Sequence, residues 1–171
     1  MKAIIIGADY NHAENEKRGL LRIGTCRDFD CKIALHALQI LDNSTAIDPN
    51  VIVLSGFSSG AYSITDNLQG NSWKPFSGFC AIAGGSRTGS PQLGTRPILF
   101  VMGQGDTIRH GWLKEAVDGV KGGRPASLSV VMLENTGHEW NAAVDKTIHD
   151  WLSSSFPTLD RKGRFNMLIQ Q

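Results

Sequence analysis

The feature that most constrains the fold of this 171-residue chain is a set of five short apolar segments, separated by longer polar or amphipathic stretches. Each has four to six residues and is bounded by glycine, proline or polar residues. Uninterrupted apolar runs of this length are typical of strands that are buried on both faces of a parallel sheet. The predicted strands cover residues 3–6, 51–54, 78–83, 97–102 and 128–133.

Helical segments are predicted between these strands. Asp28 and Asp30 precede an apolar-periodic stretch, and acidic residues are favoured near the N-terminal end of a helix. The predicted helical segments are 33–41, 61–68, 112–120 and 140–152, the last with an apolar face that begins at Trp140. Strands that alternate with helices predict an α/β fold, with a mostly parallel sheet and helices on both of its faces.

Size and charge limit the organisation and the classes of function. The length predicts a single domain over residues 1–157, followed by a C-terminal tail over 158–171. Because 17 Lys+Arg nearly balance 16 Asp+Glu, neither a nucleic acid nor a membrane is expected as a partner. The first apolar run is too short for a signal peptide, and a cytoplasmic location is the default expectation.

The three cysteines do not predict a metal site. Cys26 and Cys31 are close enough in sequence for a small loop disulfide, while Cys80 lies in a predicted strand. A C-x4-C pair without a second pair or a histidine cluster is weak evidence for a metal. The preferred interpretation is three thiols, and neither a metal nor a cofactor is predicted.

The second predicted strand ends in a motif with chemical content. Residues 56–60 read Gly-Phe-Ser-Ser-Gly, a G-x-S-x-G pattern between a strand and a predicted helix. In this pattern a sharp turn exposes the central serine, Ser58, and glycines avoid collisions that side chains would make. The backbone amide of Ser59 would then face the oxyanion that forms when Ser58 attacks an acyl group.

Two further strand ends supply partners for Ser58. A serine hydroxyl needs a base, and the base needs an acid to orient it. Functional groups of parallel sheets lie beyond the carboxyl ends of the strands. Asp106 follows the fourth predicted strand and His138 follows the fifth, whereas Asp118 falls within a predicted helix. Phe57 and Trp140 are candidate substrate contacts, although core packing is the preferred interpretation of Trp140.

These segments resemble those of the α/β-hydrolase-fold serine esterases. Residues 56–61 are similar to the nucleophile elbow, 101–106 to the strand and acid segment, and 136–140 to the histidine loop. The resemblance covers roughly residues 28–152. It is greatest to the small esterases around polyhydroxyalkanoate depolymerases, feruloyl esterases and dienelactone-hydrolase-like proteins.

The resemblance implies a carboxylic-ester hydrolase with a small ester substrate. Ser58 would be the nucleophile, His138 the general base and then acid, and Asp106 the partner of the imidazole. The fold would be a minimal or truncated α/β-hydrolase of about five strands without a lid domain. A thioesterase, amidase or peptidase would use the same triad.

The chain departs from the family at the second oxyanion donor. No His-Gly loop, which normally supplies it, follows the first predicted strand. Either residues 3–7 form a later strand and the chain begins after the oxyanion strand, or they are the oxyanion strand itself. In the second case the amides of Ala8 and Asp9 would be the donors. Missing strands would also expose an apolar sheet edge, and association into an oligomer is expected.

Two alternatives from other classes follow. The missing loop is compatible with a catalytically weak or silent hydrolase-fold domain that acts as a binding or scaffold module. A nucleotide-binding domain is disfavoured, because no G-x-G-x-x-G follows the first strand and no G-x-x-x-x-G-K-[ST] occurs.

Overall fold

A computed structural model of the chain describes residues 4–8, 51–67, 74–85, 96–122 and 127–157. Within them, five strands form one parallel sheet whose spatial order is the same as the order along the chain. The strands are β1 (Ile4–Ala8), β2 (Ile52–Phe57), β3 (Gly78–Ile82), β4 (Ile98–Gly103) and β5 (Leu128–Leu133). The predicted parallel α/β architecture is confirmed.

Helices cover both faces of this sheet. They are α1 (Ser59–Asn67), α2 (His110–Gly122) and α3 (Ala142–Ser155), and a short 3-10 helix, Thr107–Arg109, leads into α2. The apolar sides of α1 and α2 pack on one face of the sheet, and α3 packs on the other. The side chains of the central strands β3 and β4 are fully buried, and each large one contributes about 1.5–3 kcal/mol to folding.

The end of β2 differs from the prediction. The strand continues to Phe57 because Gly56 and Phe57 still pair with Ala81 and Ile82 of β3. The sequence predicts that Gly56 begins the turn, but the hydrogen bonds of the sheet hold Gly56 in an extended conformation. The strand therefore runs directly into Ser58, without an intervening loop.

β5 is not buried on both faces, contrary to the prediction from its apolar sequence. Val130 is 44% exposed and Met132 is 38% exposed, while Val131 and Leu133 pack partly against the core on the α3 side. Among the strands that the structure describes, β5 is the last in the sheet, and the described helices cover one of its faces better than the other. An apolar sequence alone does not distinguish a terminal strand from a central one.

The last helix also begins later than predicted. α3 begins at Ala142, and Asn141 is its N-cap, whose side chain accepts hydrogen bonds from the amides of Ala143 and Val144 at 3.0 and 3.2 Å. Trp140 therefore precedes the helix instead of starting its apolar face. Its indole N–H donates to Asp145 at 2.7 Å, and its ring packs partly against the core.

Several predictions concern residues outside the described ranges. These are the helix over 33–41, the thiols Cys26 and Cys31, Asp9 and the tail over 158–171. The expected absence of a lid also concerns, in part, residues 86–95, which lie outside the described ranges. Among the helices that the structure describes, none is long and apolar enough to span a membrane.

Candidate active site

Ser58 occupies a sharp turn between β2 and α1. Its φ is 53°, which is in the left-handed region that residues other than glycine rarely adopt. The Ser58 amide donates to the carbonyl oxygen of Ile82 at 2.8 Å, so the sheet holds the turn in place. Such a conformation costs of order 1–3 kcal/mol and persists only where the surroundings impose it.

Two glycines, Gly56 of the motif and Gly84 after β3, permit this turn by close backbone contact. A Cβ on Gly56 would lie 2.4 Å from the carbonyl carbon and oxygen of Gly60, in the first turn of α1. A Cβ on Gly84, after β3, would lie 2.6 Å from the carbonyl oxygen of Ser58. Both distances are too short for a side chain, and the strand and helix therefore meet directly around Ser58.

The structure brings together the three side chains that the strand ends predicted. Nδ1 of His138 lies 2.7 Å from Oδ2 of Asp106, and Nε2 of His138 lies 2.9 Å from Oγ of Ser58. A carboxylate only accepts, so Nδ1 carries the proton of the neutral imidazole and Nε2 accepts from the serine hydroxyl. Ser58, His138 and Asp106 thus form a continuous hydrogen-bonded chain.

Solved structures with the same architecture are found in several organisms. Arabidopsis thaliana SOBER1 has a TM-score of 0.59 and 16% identity, over 81% of this chain and 68% of that one. The carboxylesterase of Bacillus cereus has a TM-score of 0.56 and 18% identity, over 80% and 68%. The phospholipase/carboxylesterase of Dyadobacter fermentans has a TM-score of 0.58 and 14% identity, over 88% and 89%. The chain has the α/β-hydrolase fold.

The likeness lies in the fold, since the sequence matches no protein-family model and no curated protein.

In this α/β-hydrolase fold, the loop after β5 rests on the loop after β4. The Gly105 amide donates to the carbonyl oxygen of Thr136 at 2.9 Å, and a Cβ on Gly103 would lie 2.3 Å from the same oxygen. Gly103 therefore allows the two loops to approach, and their contact sets the position of His138 relative to Asp106.

Asp106 has a second partner that the sequence analysis missed. Nη1 of Arg109 donates to Oδ1 of Asp106 at 2.8 Å, while Oδ2 faces His138. The Asp106 side chain is only 3% exposed, against 25% for Arg109 and 30% for His138. The signal was present as an aspartate and an arginine three residues apart, a spacing at which helical side chains meet.

The hydrolase-fold site has an aromatic side. The rings of Phe57 and His138 have centroids 5.1 Å apart, and those of Phe57 and Trp140 are 6.1 Å apart. Of the two predicted substrate contacts, Phe57 thus lies beside the imidazole, and Trp140 packs edge-on against Phe57. Ser59 is the first residue of α1, and Ala8, the last residue of β1, pairs with Gly56; Asp9 lies outside the described residues.

Other polar residues near the site stand apart from the hydrogen-bonded chain. Ser55 is buried within β2, and Asp118 lies on α2. His110 begins α2, with Nε2 3.2 Å from the carbonyl oxygen of Gly103. Glu139 is exposed.

Burial raises the pKa of the Cys80 thiol to about 12, which keeps it protonated and poorly nucleophilic.

No metal site is found in the described part of the fold. None of the groups of His, Cys, Asp and Glu there has three members placed to hold an ion.

Proposed function

We propose that this chain is a serine hydrolase that cleaves carboxylic esters through an acyl-enzyme on Ser58. The hydrogen-bonded chain from Ser58 through His138 to the buried Asp106 carries the proposal, because it supplies a nucleophile, its base and the group that orients the base. The fold adds support, as solved carboxylesterases share it.

The reaction would proceed in two balanced halves. Oγ of Ser58 attacks the ester carbonyl carbon while Nε2 of His138 takes the hydroxyl proton. When the tetrahedral intermediate collapses, His138 returns that proton to the leaving alcohol and the acyl group stays on Ser58. Water then attacks the acyl-enzyme by the same route, releasing the acid and regenerating the serine hydroxyl.

The oxyanion would be held by backbone amides near the turn. The Ser59 amide, at the start of α1, is one donor. The pairing of β1 with β2 supports the view that residues 3–7 are the oxyanion strand, because the carboxyl end of β1 lies beside Gly56. We therefore propose that a backbone amide at the end of β1, that of Ala8 or of the following Asp9, supplies the second donor.

The aromatic side favours a small ester as the substrate. Phe57 offers apolar surface beside His138, Trp140 extends that surface beyond Phe57, and both are only partly buried. Small acyl or alcohol groups would pack there. The triad by itself serves thioesters and amides equally well, so the names of the esterase neighbours support the choice of an ester.

Labelling with a fluorophosphonate probe tests the proposal. We expect modification at Ser58, located by peptide mass spectrometry, and hydrolysis of short-chain p-nitrophenyl esters. Ser58→Ala should abolish both, and His138→Ala should slow them by at least about 10³-fold. Ser154→Ala, on the exposed side of α3, is the matched control and should react like wild type.

Folded protein that shows neither labelling nor ester hydrolysis would contradict the proposal. That outcome would favour the silent hydrolase-fold module instead.

A further inference from the structure

We propose that Arg109 is a positioning residue of the triad, acting on His138 through the carboxylate of Asp106. The inference rests on the proposed function. Its starting point is the division of the Asp106 carboxylate: Oδ2 binds His138 at 2.7 Å, and Oδ1 binds Arg109 at 2.8 Å. Each oxygen thus has one partner, and the orientation of the carboxylate is fixed from both ends.

The local backbone brings Arg109 to this position. Asp106 precedes the 3-10 helix, and the Arg109 amide donates to the Asp106 carbonyl oxygen at 3.0 Å. An aspartate at such an N-cap usually accepts hydrogen bonds from the first backbone amides. Here the side chain makes no capping hydrogen bond. Its acceptors are directed instead to Arg109 and His138.

An aromatic network holds the guanidinium from the other side. The Arg109 guanidinium carbon lies 5.8 Å from the centre of the Trp112 ring, in a cation–π contact. Trp112 packs edge-on against Tyr62 of α1, with ring centroids 5.5 Å apart. Since α1 begins directly after Ser58, this network joins the elbow helix to the acid of the triad.

One physical consequence follows for His138. A buried carboxylate that loses one of its two partners is freer to rotate, and misplaced catalytic groups slow the reaction.

The separate values of kcat and KM test this role. In Arg109→Met we expect kcat to fall about tenfold while KM stays within about twofold of wild type, because the variant misplaces the base without touching the substrate. Lys146→Met is the matched control, because it removes one charge from an exposed ion pair with Asp150 on α3. Its kcat and KM should stay at the wild-type values.

Arg109→Lys and a double-mutant cycle separate positioning from general packing. The lysine keeps the charge without the planar fork, so its kcat should lie between those of wild type and Arg109→Met. Because Arg109 acts through Asp106, adding Arg109→Met to Asp106→Asn should change the labelling rate of Ser58 by less than about threefold. The double variant also lacks the buried charge and tests the inference if Arg109→Met alone does not fold.

The outcomes are distinct. A further tenfold loss in the Asp106→Asn background would overturn the inference, as would an Arg109→Met enzyme with the wild-type kcat. In both cases a reactive Ser58 leaves the proposed function standing. A wild-type protein without a reactive serine would overturn both.

Discussion

Single residues in strained backbone conformations mark the edge of the sheet where the site lies. Among the described residues, Ser58, Ala83 and Asn135 have φ values of 53°, 50° and 53° although none is glycine. They follow the carboxyl ends of β2, β3 and β5. Strain of this kind persists where surrounding contacts impose it and is concentrated at functional sites. The packing of the sheet and its helices stabilises the fold enough to keep these residues in strained conformations.

The buried thiol of Cys80 makes stability depend on alkaline pH. Burial raises its pKa from about 9.0 to about 12 in the folded protein. Between these values the unfolded chain releases the proton and the folded chain keeps it, so unfolding becomes more favourable as the pH rises. We expect the free energy of unfolding to fall by up to about 1.4 kcal/mol per pH unit above pH 9.

Urea unfolding at pH 7 to 10.5 would measure this effect. Cys80→Ala removes the thiol at a position with no exposed surface, and its stability should fall less steeply above pH 9. Parallel curves for the two proteins would show that the thiol does not titrate in this way.

At the scale of elements, the cap of α3 links helix stability to the histidine loop. The Asn141 side chain caps α3 and also donates to Glu139 at 3.2 Å. Asn141→Ala should lower the free energy of unfolding by about 1 kcal/mol, whereas Asn141→Asp keeps the capping oxygen and should retain most of the stability. Chemical denaturation of both variants checks this; equal losses would refute the capping account.

The elements themselves could largely be predicted, because apolar runs and helical periodicity are local properties of the sequence. β5 was predicted with its observed bounds, Leu128–Leu133. The residues at which the elements end, in contrast, depend on pairing with other parts of the chain. β2 continues through Gly56 because β3 pairs with it. The proximity of Ser58, Asp106 and His138 followed from strand ends meeting at one edge of a sheet. Arg109 was missed because its role depends on the conformation of one short turn.

At the scale of the whole molecule, the two terminal strands remain the basis for expected self-association. Within the described residues, β5 presents the exposed side chains Val130 and Met132, and β1 lies at the other end of the strand order. Unpaired strand edges invite pairing with another chain. We predict concentration-dependent association in sedimentation velocity, and a monodisperse monomer across the range would contradict it. The double substitution Val130→Lys and Met132→Lys should weaken association through β5 and leave association through β1 unchanged.

The register of the sheet has a consequence for how a preparation of this protein behaves. A slip of one residue between neighbouring strands moves a strand end by about 3.3 Å and turns its side chains to the opposite face. The contacts of His138 with Ser58 and Asp106 are 2.9 and 2.7 Å long and do not survive such a step. A molecule with such a slip would therefore have no hydrolytic activity, instead of a reduced one. Active-site titration would count the correctly folded molecules, and a low specific activity would measure their fraction.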